Sequence, residues 1–170
     1  WAIIFYRLRR WLQYESNIPL IRRLCVGLTY IINFIFVECI AGISIAPEAD
    51  IGPGLYIGHY GNIFIGEKTK LGKFCNISHE NTLGYSGFGQ MRGVPEIGDF
   101  VYIAPGAKVV GKIQIGSNVV IGPNTVVTKH IPDNATVFGM PGRIVNYDSS
   151  KQYIRYSKEK SKKYLAENNM

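Results

Sequence analysis

Three histidines, His59, His79 and His130, are the side chains of this chain best suited to carry a proton near neutral pH. His59 lies in Ile57-Gly58-His59-Tyr60-Gly61-Asn62, where flanking glycines let a ligand approach the backbone closely. That setting suits a general base that takes the proton of an attacking hydroxyl. His79 follows Ile77 by two residues, as His59 follows Ile57, so both can face one groove. It is a candidate to bind an acceptor or to orient His59. His130, in Thr128-Lys129-His130-Ile131-Pro132, reads as structural. Glu67 and Glu80 are candidates to hold the second nitrogen of the base, as carboxylates do behind other functional histidines. No Ser or Cys stands in a nucleophile context, so direct attack is expected rather than a covalent intermediate. Cys25, Cys39 and Cys75 are scattered without any C-x-x-C spacing, which argues against a disulfide framework or a metal centre and fits a reducing cytoplasm.

These residues need a rigid scaffold, and the sequence describes one. Over 45–132 apolar residues recur every six positions: Ile45, Ile51, Ile57, then Ile65, Leu71, Ile77, Leu83, then Ile97, Ile103, Val109, Ile115, Ile121 and Val127. Eight of these thirteen are followed directly by Gly, and four of the other five by Ala, Ser or Thr. Three six-residue strands make one triangular coil. The leading aliphatic stacks on its equivalents above and below, and the small residue beside it lets the chain turn. A parallel β-helix of a little over four coils is the fold expected. The period breaks twice: Ile57 to Ile65 inserts two residues around His59, and Leu83 to Ile97 inserts a loop over 84–96. Loops on a rigid scaffold are where function concentrates.

Residues 1–43 are apolar and basic with helical periodicity, Ile3, Ile4, Arg7, Leu8, Trp11 and Leu12 recurring at three- and four-residue steps. The stretch 24–43 carries one charge, Glu38, and is long enough to span a bilayer, although a packed or interfacial helix is favoured because a charge inside a span is costly. The chain opens on Trp1, and no secretory leader is expected. Residues 146–170 form a basic tail, with a polar helix expected over 148–170. Three segments follow: 1–43 helical, 44–145 the β-helix with its loop, and 146–170 the tail.

The string Ile57-Gly58-His59-Tyr60-Gly61-Asn62-Ile63-Phe64-Ile65-Gly66-Glu67 resembles the active-site coil of serine acetyltransferases. The likeness continues through Asn76-Ile77-Ser78-His79, Thr82-Leu83-Gly84, Ile97-Gly98-Asp99, Ile103-Ala104-Pro105-Gly106-Ala107 and Val126-Val127-Thr128-Lys129. It ends at Gly139-Met140-Pro141-Gly142-Arg143-Ile144-Val145, similar to the terminal signature of that family. The resemblance implies a left-handed all-β solenoid that works as a homotrimer, with acetyl-CoA as acyl donor and His59 as general base. Gly84, Ala104, Gly122, Lys129 and Arg143 match positions that line its CoA groove, with Lys112 a weaker candidate. An oxyanion hole is expected from backbone at Leu83-Gly84 or Ala104-Pro105-Gly106. Asn62 and Arg92 join His79, Glu67 and Glu80 as candidates for acceptor binding or orientation of the base.

Two departures bear on the acceptor. The serine enzymes carry acids at the positions of Gly58 and Ser44, and a histidine in the stretch matching Arg92-Gly93-Val94-Pro95. Their absence points to the branch that O-acetylates sugars in capsule, exopolysaccharide or O-antigen biosynthesis, on a sugar or lipid-linked glycan. Serine O-acetylation for cysteine biosynthesis is the alternative, and an inactive hexapeptide-repeat scaffold the second alternative. The net charge of +7 is located at the ends: residues 24–147 hold eight basic and eight acidic residues, whereas 1–23 and 148–170 together hold eleven basic and four acidic. Basic ends on a neutral body suggest an anionic partner, here the inner face of the cytoplasmic membrane, engaged by Arg7, Arg9, Arg10, Arg22 and Arg23. Nucleic acid is not expected, since the body carries no aromatic-basic motif.

Overall fold

The computed structural model describes residues 1–16, 19–155 and 166, with the side chains of 19–24 and 91 outside the description. From Ile43 the chain winds through three sheets, one strand of each per coil. The first sheet stacks β1 (Ile43–Ile45), β4 (Ile63–Ile65), β7 (Thr82–Gly84), β10 (Lys108–Val110) and β13 (Val126–Val127). The second stacks β2 (Asp50–Ile51), β5 (Lys70–Leu71), β8 (Glu96–Ile97) and β11 (Gln114–Ile115). The third stacks β3 (Tyr56–Ile57), β6 (Asn76–Ile77), β9 (Tyr102–Ile103), β12 (Val120–Ile121), β14 (Thr136–Phe138) and β15 (Arg143–Asn146). Among the described residues these strands pair in parallel, except for β15, which folds back antiparallel on β14 and closes the last coil. This is the parallel β-helix that the six-residue period predicts.

The registers show why the period works. Ile57 lies over Ile77, Ile77 over Ile103, and Ile103 over Ile121. Twelve of the thirteen repeat aliphatics are buried and Ile57 is half-buried. Burying each such side chain contributes about 1.5–3 kcal/mol, so the stacked column is the main source of stability. The residue two positions earlier also points inward, as at Ile63, Val101, Ile113 and Val119. In that second column Asn81 is fully buried and satisfied: its amide accepts from the Ser78 N–H at 2.9 Å and donates to the Ala104 carbonyl at 2.7 Å.

The N-terminal segment packs on the first coil. Helix α1 (Ala2–Arg10) runs on as a wider π-type turn (Trp11–Glu15), and α2 (Pro19–Ile32) runs on as a π-type segment (Asn33–Ile40). Buried Tyr6 donates its hydroxyl to the Ala49 carbonyl at 2.7 Å. Arg7 donates to the Gly52 carbonyl at 2.7 Å, and Arg10 pairs with Asp50 at 3.3 Å. Arg9 is buried with its guanidinium over the Tyr30 ring at 5.6 Å. Three arginines expected to face lipid head groups therefore face this chain's own first coil or α2; Arg22 and Arg23 lie outside the described side chains. Among the described residues no helix is long and apolar enough to cross a membrane. The apolar run is interrupted where buried Asn33 donates to the Glu38 carboxylate at 2.8 Å.

The polar helix expected over 148–170 is not formed in 148–155, and of the rest only Ala166 is described. Instead the chain runs back as a strap across the third sheet. The Ser149 and Ser150 N–H groups donate to the Asn134 and Asn118 carbonyls at 3.1 and 2.8 Å. Tyr153 stacks on Tyr102 with ring centres 5.1 Å apart, and Arg155 lies over Tyr56 at 5.2 Å. The six-residue rule could not reveal this strap, because its bonds go to corner carbonyls rather than to a repeat position.

Candidate active site

The chain turns three corners per coil. The corner between the third and first sheets carries His59 after β3, His79 after β6, Ala104 after β9 and Gly122 after β12. Because Ile57 is in register with Ile77, residues two further on lie one above the other. The imidazoles of His59 and His79 meet edge to face, with ring centres 5.7 Å apart and planes at 80°. The two-residue insertion at Gly61-Asn62 is absorbed within this corner, where the Glu80 N–H donates to the Gly61 carbonyl at 2.9 Å and ties the two coils. His59 is exposed and opens onto a cleft of about 490 Å³ that Trp1, Ile3, Tyr56, Gly58 and Tyr60 also line. A Cβ built on Gly58 would have its nearest neighbours, the Ile77 carbonyl oxygen and Tyr56 Cε1, at 3.6 Å, so this position has room for a side chain.

The other candidates divide between places. Asn62 and Glu80 share the His59 corner; both are exposed and in the left-handed region, at φ 52° and 59°. Gly84, Glu67 and Lys129 lie at the next corner, between the first and second sheets, one strand away from His59 in this chain. Among the described residues neither Glu67 nor Glu80 hydrogen-bonds through its carboxylate to a histidine; the Glu80 carbonyl instead accepts from Lys108 Nζ. Arg92 stands on the loop after β7, its guanidinium 5.4 Å from the Tyr85 ring. The loop is pinched by reciprocal Ser86 and Gly93 hydrogen bonds of 3.0 Å and carries a 3₁₀ turn at Gly89–Met91. Arg143 is exposed at the start of β15, opposite Phe138, and Lys112 is exposed after β10. His130 accepts at Nδ1 from the Gln114 N–H at 3.0 Å, on the second sheet's side and far round the coil from His59. Among the described residues no group of three or more His, Cys, Asp or Glu could hold a metal ion.

The backbone expectation for the oxyanion changes at one of its two sites. Pro105 has no N–H. The Ala104 N–H donates to the Ile121 carbonyl at 2.9 Å and the Gly106 N–H to the His79 carbonyl at 3.1 Å. Neither is free for a ligand. Parallel pairing of successive coils engages these groups, which composition alone does not reveal. Sequence reasoning also missed Asn81, which stands two residues before Leu83 in the column that carries Ile63, Ala107 and Thr125, and the strap residue Arg155.

Comparison with known proteins bears on what this corner does. Residues 95–129 match the family model described as bacterial transferase hexapeptide (six repeats). The chain is 36% identical over 144 residues to the serine acetyltransferase of Synechococcus elongatus, covering 85% of this chain and 55% of that one. It is 47% identical over 107 residues to the serine acetyltransferase of Staphylococcus aureus strain Mu50, covering 63% of this chain and 50% of the relative. It superposes on the crystal structure of serine acetyltransferase in complex with coenzyme A from Brucella abortus strain S19 with a TM-score of 0.71 at 32% identity, covering 86% of this chain and 55% of that chain. The chain thus spans about half the length of these relatives. The sugar acceptor read from Gly58, Ser44 and Val94 is corrected by these findings: the relatives carry the serine name at up to 47% identity, and three single-residue departures do not outweigh that agreement. Residues 95–129 thus match the hexapeptide-repeat model of bacterial transferases, and the β-helix is similar in sequence and fold to serine acetyltransferases over about half of their length.

Proposed function

We propose that this chain transfers an acetyl group from acetyl-CoA to the hydroxyl of serine, with His59 as general base. The observation that carries the reading is the 36% identity to a serine acetyltransferase over 144 residues, with His59 exposed in a corner cleft of the β-helix. The hydroxyl oxygen attacks the thioester carbon while the His59 imidazole takes its proton. The tetrahedral intermediate collapses, the carbon–sulfur bond breaks, and the same imidazole returns the proton to the departing thiolate. No covalent acyl-enzyme forms.

Ser78, Ala104 and Gly122 continue the corner along successive coils, the direction in which an extended pantetheine arm would run past His59, and the Phe138 ring packs on Gly122. Gly84 and Lys129 lie at a different corner from His59, Ala104 and Gly122. A donor groove that uses both sets needs two copies of the chain side by side, which favours a homotrimer with sites between subunits. The experiment is to mix protein with acetyl-CoA and L-serine and follow CoA thiol release together with the mass of the amino acid. The proposal predicts saturable, serine-dependent CoA release and an acetylated serine. CoA release that is indifferent to serine would refute it.

A further inference from the structure

We propose that His79 is a second catalytic residue, whose Nε2–H holds the acyl oxygen as it becomes an oxyanion; this rests on the acetyl-transfer reading above. Four observations carry it. The first is proximity: the His79 and His59 ring centres are 5.7 Å apart and nearly perpendicular. A thioester carbonyl between them can present its carbon to a hydroxyl held on His59 and its oxygen to His79, each at an ordinary hydrogen-bond length of about 2.7–3.2 Å.

The second concerns the tautomer. His79 Nδ1 is enclosed, beyond reach of a water-sized probe, with no hydrogen-bond partner in the protein. A proton there would be a buried donor without an acceptor. Nδ1 is unpaired in either tautomer, and the proposal takes the Nε2–H form, the one that directs a donor at a ligand. Nε2 is not among the enclosed atoms and has no protein partner among the described residues, so it is the one that can meet a ligand.

The third is rigidity. Ser78 N–H donates to both the Ile103 carbonyl at 3.1 Å and Asn81 Oδ1 at 2.9 Å, and the His79 carbonyl accepts from the Gly106 N–H at 3.1 Å. A donor fixed in place before the charge develops is the arrangement that stabilises an oxyanion most. The fourth is the state of the neighbouring backbone. The N–H groups of Gly58, Ser78, Ala104 and Gly106 are each engaged by a carbonyl of an adjacent coil, so they are not available to the intermediate. In the step, the carbonyl π pair moves to oxygen as the hydroxyl attacks, the Nε2–H bond to that oxygen shortens, and the pair returns as the thiolate leaves. His79 keeps its proton throughout.

The test uses H79Q and H79L, which both fill the space, although only Gln presents an N–H. H79L should lower kcat about 10²-fold, the usual loss for one oxyanion donor, with both KM values within about threefold of wild type. H79Q should recover at least about a tenth of wild-type kcat. Slow hydrolysis of acetyl-CoA in the absence of serine should fall in parallel, because water attacks the same carbonyl. Nitrogen-15 NMR of the imidazoles should show the Nε2–H tautomer for neutral His79. Equal kcat in wild type and H79L, equal impairment of H79Q and H79L, or an Nδ1–H tautomer would each overturn the proposal. If wild type fails to acetylate serine but hydrolyses acetyl-CoA in a manner dependent on both histidines, the serine reading falls and the role of His79 stands. If neither reaction occurs, both fall.

Discussion

Replacing Gly72 with Ala places a methyl group where the coils have no room for it. The new Cβ would lie 2.6 Å from both the carbonyl carbon and oxygen of Gly98 and 2.3 Å from Asp99 Oδ1. The neighbouring corner is equally close on the other side, since a Cβ on Gly52 would meet the Gly72 carbonyl carbon at 2.7 Å. Reaching an ordinary 3.4 Å contact from 2.6 Å requires the coils to separate locally by about 0.8 Å. Two hydrogen bonds sit directly in the way of that movement. The Gly72 N–H donates to the Ile97 carbonyl at 2.9 Å, and the Lys73 N–H donates to Asp99 Oδ1 at 2.7 Å. Losing most of one neutral and one charge-assisted bond costs about 2–4 kcal/mol. For a chain of this length that lowers Tm by roughly 5–15 °C. Gly27→Ala is the control: nothing lies within 4 Å of its Cβ in α2, so helix propensity alone acts and raises stability by about 1 kcal/mol. Thermal unfolding followed by circular dichroism, at one fixed protein concentration, compares the two. A Gly72→Ala protein melting within about 2 °C of wild type would refute the reasoning, because the coils would then be free to separate at no cost.

Other outcomes follow from the same structure. Gly58→Asp should fold normally, since the nearest atoms to its Cβ lie at 3.6 Å, and should place a carboxylate beside His59. On the serine reading it lowers the KM for serine about tenfold, as expected for a charge-assisted bond to the ammonium group, and steady-state kinetics read this directly. Burial pushes the Cys75 thiol up to about 12 from 9.0, so Cys75 should resist a thiol reagent in the native protein while exposed Cys39 reacts at once. The native state holds the Cys75 proton after the unfolded chain has released it, so the protein loses about 1.4 kcal/mol of stability per pH unit from about 9 to about 12. Urea midpoints measured across that range, with Cys75→Ala as comparison, check the slope.

The fold was legible because each coil repeats the same demand. An aliphatic every sixth residue with a small neighbour is needed at every level of the stack, and twelve of those thirteen positions are buried. The second inward column was less visible, since it mixes Ile63 and Val101 with Thr69, Cys75 and Asn81, which share only their inward direction. The relation of His59 to His79 was open to counting, because both stand two residues past aliphatics that the register places together. Which corner held each remaining candidate was harder. Gly84 and Lys129 follow first-sheet strands, whereas Ala104 and Gly122 follow third-sheet strands, and the six-residue period treats all of these alike. Charge placement misled in one respect. Arg7, Arg9 and Arg10 read as a basic patch, yet they hold carbonyls, Asp50 and the Tyr30 ring within the chain. The strap over the third sheet left no periodic trace, because Ser150 docks by bonds to Asn118 and Phe100 backbone oxygens. The acceptor was misread from three positions, where the likeness of the whole repeat carries more information.

The measurement that bears most directly on the central claim is transfer of an isotopically labelled acetyl group from acetyl-CoA to serine by wild type and by His59→Ala. Wild type should place the label on the serine oxygen. His59→Ala, with an unchanged circular dichroism spectrum and melting curve, should do so about 10²–10⁴ times more slowly. Label transfer at the wild-type rate in the absence of the His59 imidazole would contradict the account.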